Sequence, residues 1–304
     1  MNASILIPLA VISSVLGMSE GVHQPRNQFT VVSWNVGSQA PDPHAVAARI
    51  TEMDGVALWG FCGVRNEHWA RLFQGAVEEN ERHEMIQILS PTRGGDRSLI
   101  LYDPRQFEST RLLELGWKDE AWHRPDLILP PSLVVRLRHR ATREEFFFMI
   151  NSLHPDWAAR QAETICRWAR GQSLPIVAAG TYYFQYNLGP QLLRCDGQMG
   201  FLTLSNGPFH WVRPKNLVTT YDSPFNTIED FIFVAHATGR LFGQSRVLVR
   251  PDEFAGREPI GEHRPIRTAF TILETSEQAE LRRRMVEQVL ELKEDADSSE
   301  APRR

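Results

Sequence analysis

A series of short apolar runs, each closed by turn-forming residues, constrains this chain more than any other feature. The runs cover residues 29–34, 55–61, 97–102, 132–138, 145–151, 174–179, 230–235 and 266–272. Each is rich in Val, Ile, Leu and Phe and is bounded by Gly, Pro, Asp or Arg, the pattern of short strands with at least one buried face. Between them, 43–53, 66–77, 156–171 and 188–195 have helical spacing. In 156–171, Trp157, Ala158, Gln161, Ile165 and Trp168 fall near one stripe, and Pro155 stands at its start, where a missing N–H costs nothing. Strand runs interrupted by single helices predict a layered α/β domain.

Charge and cysteine usage narrow the chemistry. The formal net charge of −4 lacks the basic excess that tight, sequence-independent nucleic-acid binding requires. Lysine occurs only at Lys118, Lys215 and Lys293, so nearly all the positive charge is arginine. Arginine suits phosphate recognition, although genome composition gives the same bias. Cys62, Cys166 and Cys195 form no C-x-x-C pair, so a zinc site is not expected. They read as small buried residues, with a single bridge open to an exported protein.

The two ends differ from the middle. Residues 4–17 form an apolar run of signal-peptide length inside a candidate signal peptide at 1–20, although Met1-Asn2-Ala3 adds no basic side chain. Export to a periplasmic or extracellular location follows if the segment is functional, and a cytoplasmic location if it is not. Residues 21–28 read as a linker and 29–273 as the domain. In 276–304, Leu281, Met285, Val289 and Leu292 recur on one helical stripe, capped by Thr275 or Ser276, before a charged tail at 294–304 that is expected to be disordered. That stripe either packs on the domain or forms a homodimer seam.

Six segments carry the chemistry. They are Ser33-Trp34-Asn35-Val36, Phe61-Cys62-Gly63-Val64, Asn151-Ser152-Leu153, Gly180-Thr181-Tyr182-Tyr183-Phe184, Glu229-Asp230-Phe231-Ile232-Phe233-Val234 and Gly261-Glu262-His263-Arg264-Pro265. In order and spacing they resemble the endonuclease/exonuclease/phosphatase superfamily, the deoxyribonuclease I-like fold, across about residues 29–273. That family reads S-W-N-V, L-x-E-V, N-H-L, G-D-F-N, L-D-x-I-F-V and S-D-H-R-P. The resemblance implies a four-layer α/β sandwich, two packed mixed β-sheets flanked by helices. It also implies hydrolysis of phosphoesters with a divalent ion, usually Mg2+, because an anionic phosphate repels a nucleophile until its charge is absorbed.

Set against that pattern, the site is depleted. Asn35, Asp230 and His263 match, and Asp222 also survives. Glu262 replaces an Asp conservatively and is a candidate metal ligand. Arg97, opening the run Ser98–Asp103, resembles the family's arginine-to-tyrosine strand and is a candidate ligand contact. Gly63 stands where the metal-binding Glu belongs, Ser152 where a His belongs, Thr181 where the water-activating Asp belongs, and Tyr183 where an Asn belongs. Two residues are candidate substitutes: His154, on the face of Ser152 if the strand continues, and Glu67, if its segment turns helical. The Tyr183 ring either plugs the pocket or offers a stacking floor to a ligand.

Loss of a general base alone costs about 10²–10⁴ in rate, and here a metal ligand is missing as well. The expected protein is a catalytically degenerate member of the fold with a remnant cleft and no resident cofactor. A phosphate-containing ligand or nucleic acid is the partner class that the resemblance implies. The alternative is an active metal-dependent phosphodiesterase or phosphatase with a rearranged site, using Mg2+. A purely structural or interaction protein acting through the 277–293 helix is a third reading. Restoring Gly63→Glu, Ser152→His, Thr181→Asp and Tyr183→Asn together is expected to return activity to the degenerate form.

Overall fold

The structure is a computed structural model and describes residues 25–37, 42–92, 96–116, 130–187, 196–222, 227–250 and 262–273. The expected signal peptide, the 188–195 helix, Cys195 and the 276–304 segment lie outside the described residues, as does the first half of the 21–28 linker.

The elements run β1 (Gln28–Asn35), α1 (Pro43–Ile50), β2 (Leu58–Val64), α2 (Glu67–Glu81), β3 (Ile86–Leu89), β4 (Arg97–Tyr102), β5 (Phe107–Leu115), β6 (Ser132–His139), β7 (Glu145–Ser152), α3 (Ala158–Arg170), β8 (Ile176–Asn187), α4 (Asp196–Ser205), β9 (Phe209–Trp211), β10 (Thr227–Ala235), β11 (Leu241–Val247) and β12 (Ile266–Ile272). One six-stranded sheet has the order β11-β12-β1-β2-β4-β3, and the other the order β5-β6-β7-β8-β10-β9. Both are mixed: β1 pairs parallel with β2, β7 pairs parallel with β8, and their other ladders are antiparallel.

Strand alternation builds three apolar layers. Phe29 and Val31 of β1, Phe146, Phe148 and Ile150 of β7, and Phe270 of β12 fill the space between the sheets. The intervening β1 residues, Val32 and Trp34, pack outward with residues of α1 and α2. On the second sheet, Phe147, Tyr182, Phe231 and Phe233 pack outward with residues of α3 and α4. A strand buried on both faces reads as a continuous apolar run, not an alternating one, which is why 145–151 is so uniformly hydrophobic. At the centre the Phe29 ring lies 5.3 Å from each of Phe107, Phe146 and Phe270, edge-on to the first and stacked on the other two. Aromatic pairs in such geometries add about 0.5–1.5 kcal/mol beyond burial. The result is the expected four-layer sandwich.

Helix starts follow side-chain capping. Asp42 accepts a hydrogen bond from His44 N at 2.9 Å with Pro43 first in α1, and Asn66 accepts from Trp69 N at 3.0 Å to open α2. Several boundaries depart from the sequence reading. The β2 strand begins at Leu58, and β8 runs on to Asn187, because Tyr182 and Phe184 bury against Phe231 and Phe233. The short or polar strands β3, β5, β9 and β11 went unrecognised in the sequence because their apolar content is low or interrupted.

Candidate functional site

The matched motifs converge where the parallel strand pairs of the two sheets end. The Asp230 side chain links two elements: one carboxylate oxygen accepts from Thr181 Oγ1 at 2.6 Å, and the other lies 2.7 Å from His263 Nδ1. Asp230 is 3 % exposed, and Thr181 and His263 are buried with it. His263 is fixed from behind by Trp34, whose indole N–H donates to the His263 carbonyl at 2.9 Å. Its ring sits between two phenols, tilted against Tyr221 at 4.8 Å and edge-on to Tyr183 at 6.4 Å. Burial would pull the imidazole pKa down, but the charge and hydrogen bond of Asp230 outweigh it, and the net direction is up.

A bulge delivers this geometry. The β10–β8 register shifts between Ile228 and Asp230. The buried Thr220 hydroxyl accepts from the backbone N–H of both Glu229 and Asp230, at 3.0 and 3.2 Å. An irregular strand segment otherwise strands its donors. The bulge also buries Glu229 beside Asp230. Glu229 is 3 % exposed, and its Oε2 has no hydrogen-bond partner among the described residues. Burial first, and the Asp230 carboxylate second, push its pKa up to about 7. Nothing in the sequence pointed to Thr220, and Glu229 had no role assigned there. Glu229, in the Leu position of L-D-x-I-F-V, was the available signal.

Gly63, one of the positions that differ from the family pattern, is closely packed against main chain. Gly63 has φ +78°, and a Cβ there would sit 2.1 Å from both Cα and N of Gly37, and 3.1 Å from Asn35 Oδ1. A Cβ on Gly37 would in turn meet Gly63 Cα at 2.4 Å. Two backbones therefore cross where the family's carboxylate would stand, so restoring Gly63→Glu is sterically blocked. Asn35 is buried, and its Oδ1 accepts from Gly37 N at 3.0 Å. Asn151, the match to the N-H-L asparagine, is also spent inward. Its Nδ2 donates to Tyr182 Oη at 2.9 Å, its Oδ1 accepts from Ser132 Oγ at 2.5 Å, and its carbonyl accepts from Cys62 Sγ at 3.0 Å. Burial pushes the Cys62 thiol up to about 12, so it is no nucleophile at neutral pH. The parallel β7–β8 pair places Ser152 opposite Thr181. Tyr183 adopts φ +52°, a left-handed conformation rare for a bulky residue.

Other candidates go elsewhere. His154 does not extend β7; its Nδ1 caps the 3₁₀ turn Pro155–Trp157 by accepting from Asp156 N at 3.2 Å. The β7 ladder ends at Ser152, and His154, still extended, stands immediately before the turn. Glu67 opens α2 on the surface and pairs with Arg71 at 3.5 Å. Arg97 donates Nε and Nη2 to the Ser90 carbonyl, tying the β3–β4 hairpin. Glu262 stays beside the centre: its carbonyl accepts from Asp222 N at 2.8 Å, and Tyr221 and His263 form an antiparallel bridge.

Magnesium demands a near-octahedral shell of hard oxygens, and these residues do not fit it. Gly63 has no donor, Asn35 Oδ1 faces a backbone N–H, Thr181 offers a hydroxyl, and both Asp230 oxygens are engaged. Among the described residues, no three His, Cys, Asp or Glu side chains are grouped to share a metal ion.

No protein-family model matches the chain, and no curated protein matches it in sequence. Solved structures do. An endonuclease/exonuclease/phosphatase from Bacteroides vulgatus aligns with a TM-score of 0.61 at 11 % identity over 81 % of this chain and 99 % of its own. A mannosyl-6-phosphatase from Bacteroides thetaiotaomicron aligns with a TM-score of 0.58 at 15 % identity, covering 80 % and 100 %. The human Nocturnin catalytic domain aligns with a TM-score of 0.57 at 11 % identity, covering 82 % and 96 %. The layer order, the mixed sheets and these superpositions together show that the chain has the deoxyribonuclease I-like fold of the endonuclease/exonuclease/phosphatase superfamily.

Proposed function

We propose that this chain is a catalytically degenerate protein of the endonuclease/exonuclease/phosphatase fold, whose cleft keeps a polar remnant that serves binding and does not hydrolyse phosphoesters. The observation that carries this reading is the Gly37–Gly63 backbone crossing, with a would-be Cβ only 2.1 Å from its neighbour. It supports more than the loss of a ligand. A carboxylate that is merely missing can be replaced from a nearby position, whereas a position occupied by main chain leaves the cation no seat. The Thr181–Asp230–His263 chain points the same way, since both Asp230 oxygens are spent on the Thr181 hydroxyl and His263 Nδ1.

The buried remnant still has value to the fold. Trp34, Thr181, Asp230 and His263 connect β1, β8, β10 and the segment before β12 through directed bonds, and removing one partner from a buried network costs more than the network contributes net. The surrounding rings of Tyr183 and Tyr221 give a ligand flat aromatic surface.

Two measurements test the proposal on the purified full chain: Mg2+ and Mn2+ titration by calorimetry, and metal-dependent hydrolysis of bis-p-nitrophenyl phosphate and p-nitrophenyl phosphate. The expected outcome is no saturable metal binding and no hydrolysis above the metal-only control. Metal-dependent turnover would overturn the reading in favour of an active phosphoesterase with a rearranged site.

A further inference from the structure

Away from the motif cluster, a second polar cleft opens between the end of α1 and the β11–β12 ladder, with a volume of about 420 Å³. Its charged lining consists of Arg49, Arg246 and Arg267 with Glu52 and Asp54. None of the residues that match the family motifs lines it.

The arrangement of the arginines is unusual. Arg246 and Arg267 are directly paired across antiparallel strands, so their side chains leave the same face of the sheet. Like charges directly opposite each other destabilise a sheet. Arg267 is held in place: its Nη2 donates to the Asp54 carbonyl at 2.8 Å, and its side chain is only 21 % exposed. Burial first, and Arg246 second, push its pKa down. The nearest carboxylate, Asp54, is 3.9 Å away and 92 % exposed, which makes it a weak partner.

Glu52 does not supply the missing charge either, because it is shared between Arg49 and Arg250. Arg49 is 10 % exposed and closes the helix side of the cleft. Arg246 is exposed, with no acidic or hydrogen-bond partner among the described residues. The floor is rigid, since the Asn216 side chain donates to the Val247 carbonyl at 2.8 Å and accepts from Val247 N at 2.9 Å. Paired guanidinium groups on one face of a recess, one of them held by a backbone carbonyl and with positive charge in excess, match an oxyanion that can accept paired N–H bonds.

We propose that the cleft formed by Arg49, Arg246 and Arg267 is a binding site for a phosphate-type oxyanion, with Arg246 and Arg267 as its two clamps. The site relieves a repulsion that the empty sheet bears at that rung. It is independent of the motif cluster, so it stands or falls apart from the question of catalysis. A free phosphate and the phosphate group of a larger molecule present the same chemistry to it.

The test is calorimetric titration of the full chain with inorganic phosphate at fixed ionic strength, for the wild type, Arg246→Gln and the charge-matched control Arg111→Gln. One saturable site is expected, weakened about tenfold or more by Arg246→Gln, since a hydrogen bond to a charged group carries about 1.5–3 kcal/mol. Arg111→Gln is expected to bind like the wild type. In phosphate-free buffer Arg246→Gln should melt no lower than the wild type, because it removes a like-charge contact. Absence of saturable binding, equal weakening in both variants, or undiminished affinity in Arg246→Gln would overturn the proposal. A lower melting point for Arg246→Gln without phosphate would also overturn it, since Arg246 would then be a structural residue.

Discussion

Replacing Glu229 with Gln should flatten the fall of stability with rising pH. The ordinary pKa of this carboxyl is 4.5, and burial beside Asp230 pushes it up to about 7 in the folded protein. The unfolded chain therefore releases the proton near 4.5 while the folded chain holds it. Between those pH values the folded state binds more protons, so stability falls as pH rises, and the loss is complete above the folded value. Each tenfold change in proton activity carries about 1.4 kcal/mol, so the gap corresponds to about 3 kcal/mol, an upper figure because a loosened site would hydrate the charge.

His263 also has a raised pKa. Its stabilisation is fully present below the ordinary imidazole value of 6.5 and is lost as pH rises through the folded value. His139 acts in the opposite sense: burial lowers its pKa, so its contribution is lost as pH falls through 6.5 toward the folded value. Comparing Glu229→Gln with the wild type cancels His139, whereas Glu229 helps raise the His263 pKa, so the variant also lessens the His263 loss and moves the difference in the same direction. Urea unfolding followed by tryptophan fluorescence at pH 5 and pH 8 provides the measurement. The expected result is that Glu229→Gln gains about 2–3 kcal/mol relative to wild type on going from pH 5 to pH 8. Parallel profiles for the two proteins would refute the reasoning, because the carboxyl would then titrate as if solvated.

Gly63→Ala should lower stability by more than about 2 kcal/mol in urea unfolding, from a positive φ and a backbone clash together, whereas neutrality would mean that the Gly37 crossing yields easily. Gly63→Glu combined with Thr181→Asp should fail to create a Mg2+ site by calorimetry, for the same steric reason. Thr220→Val should cost about 2 kcal/mol or more by orphaning two buried N–H groups at the bulge, while Thr220→Ser keeps the acceptor and most of the stability. Tyr182→Phe should cost about 1–3 kcal/mol in the same assay, because Asn151 Nδ2 loses its buried acceptor.

The layered fold, the strands that carry the motifs and the altered positions 63, 152, 181 and 183 were legible in the sequence. Each is a local property, either an apolar period of two or a residue type in a recognisable string. Asn35, Asp230 and His263 could likewise be named from their strings, and the structure brings Asp230 and His263 within 2.7 Å of each other. What the string could not convey is where a side chain is spent. His154 and Arg97 looked available, yet one caps a turn and the other ties a hairpin.

Only the tertiary structure decided the rest, because each decision joins residues far apart in the chain. Gly37 lies 26 positions from Gly63, and their contact turns a missing ligand into a filled space. The Thr220 hydroxyl holds a bulge that buries Glu229, a residue the sequence presents as one charge among many. Arg246 and Arg267 become a pair solely through the β11–β12 register. Sequence fixes which faces are apolar, since burial acts on each residue by type. Register and crossing distance fix which polar groups meet, and the chemistry open to the cleft follows from those meetings.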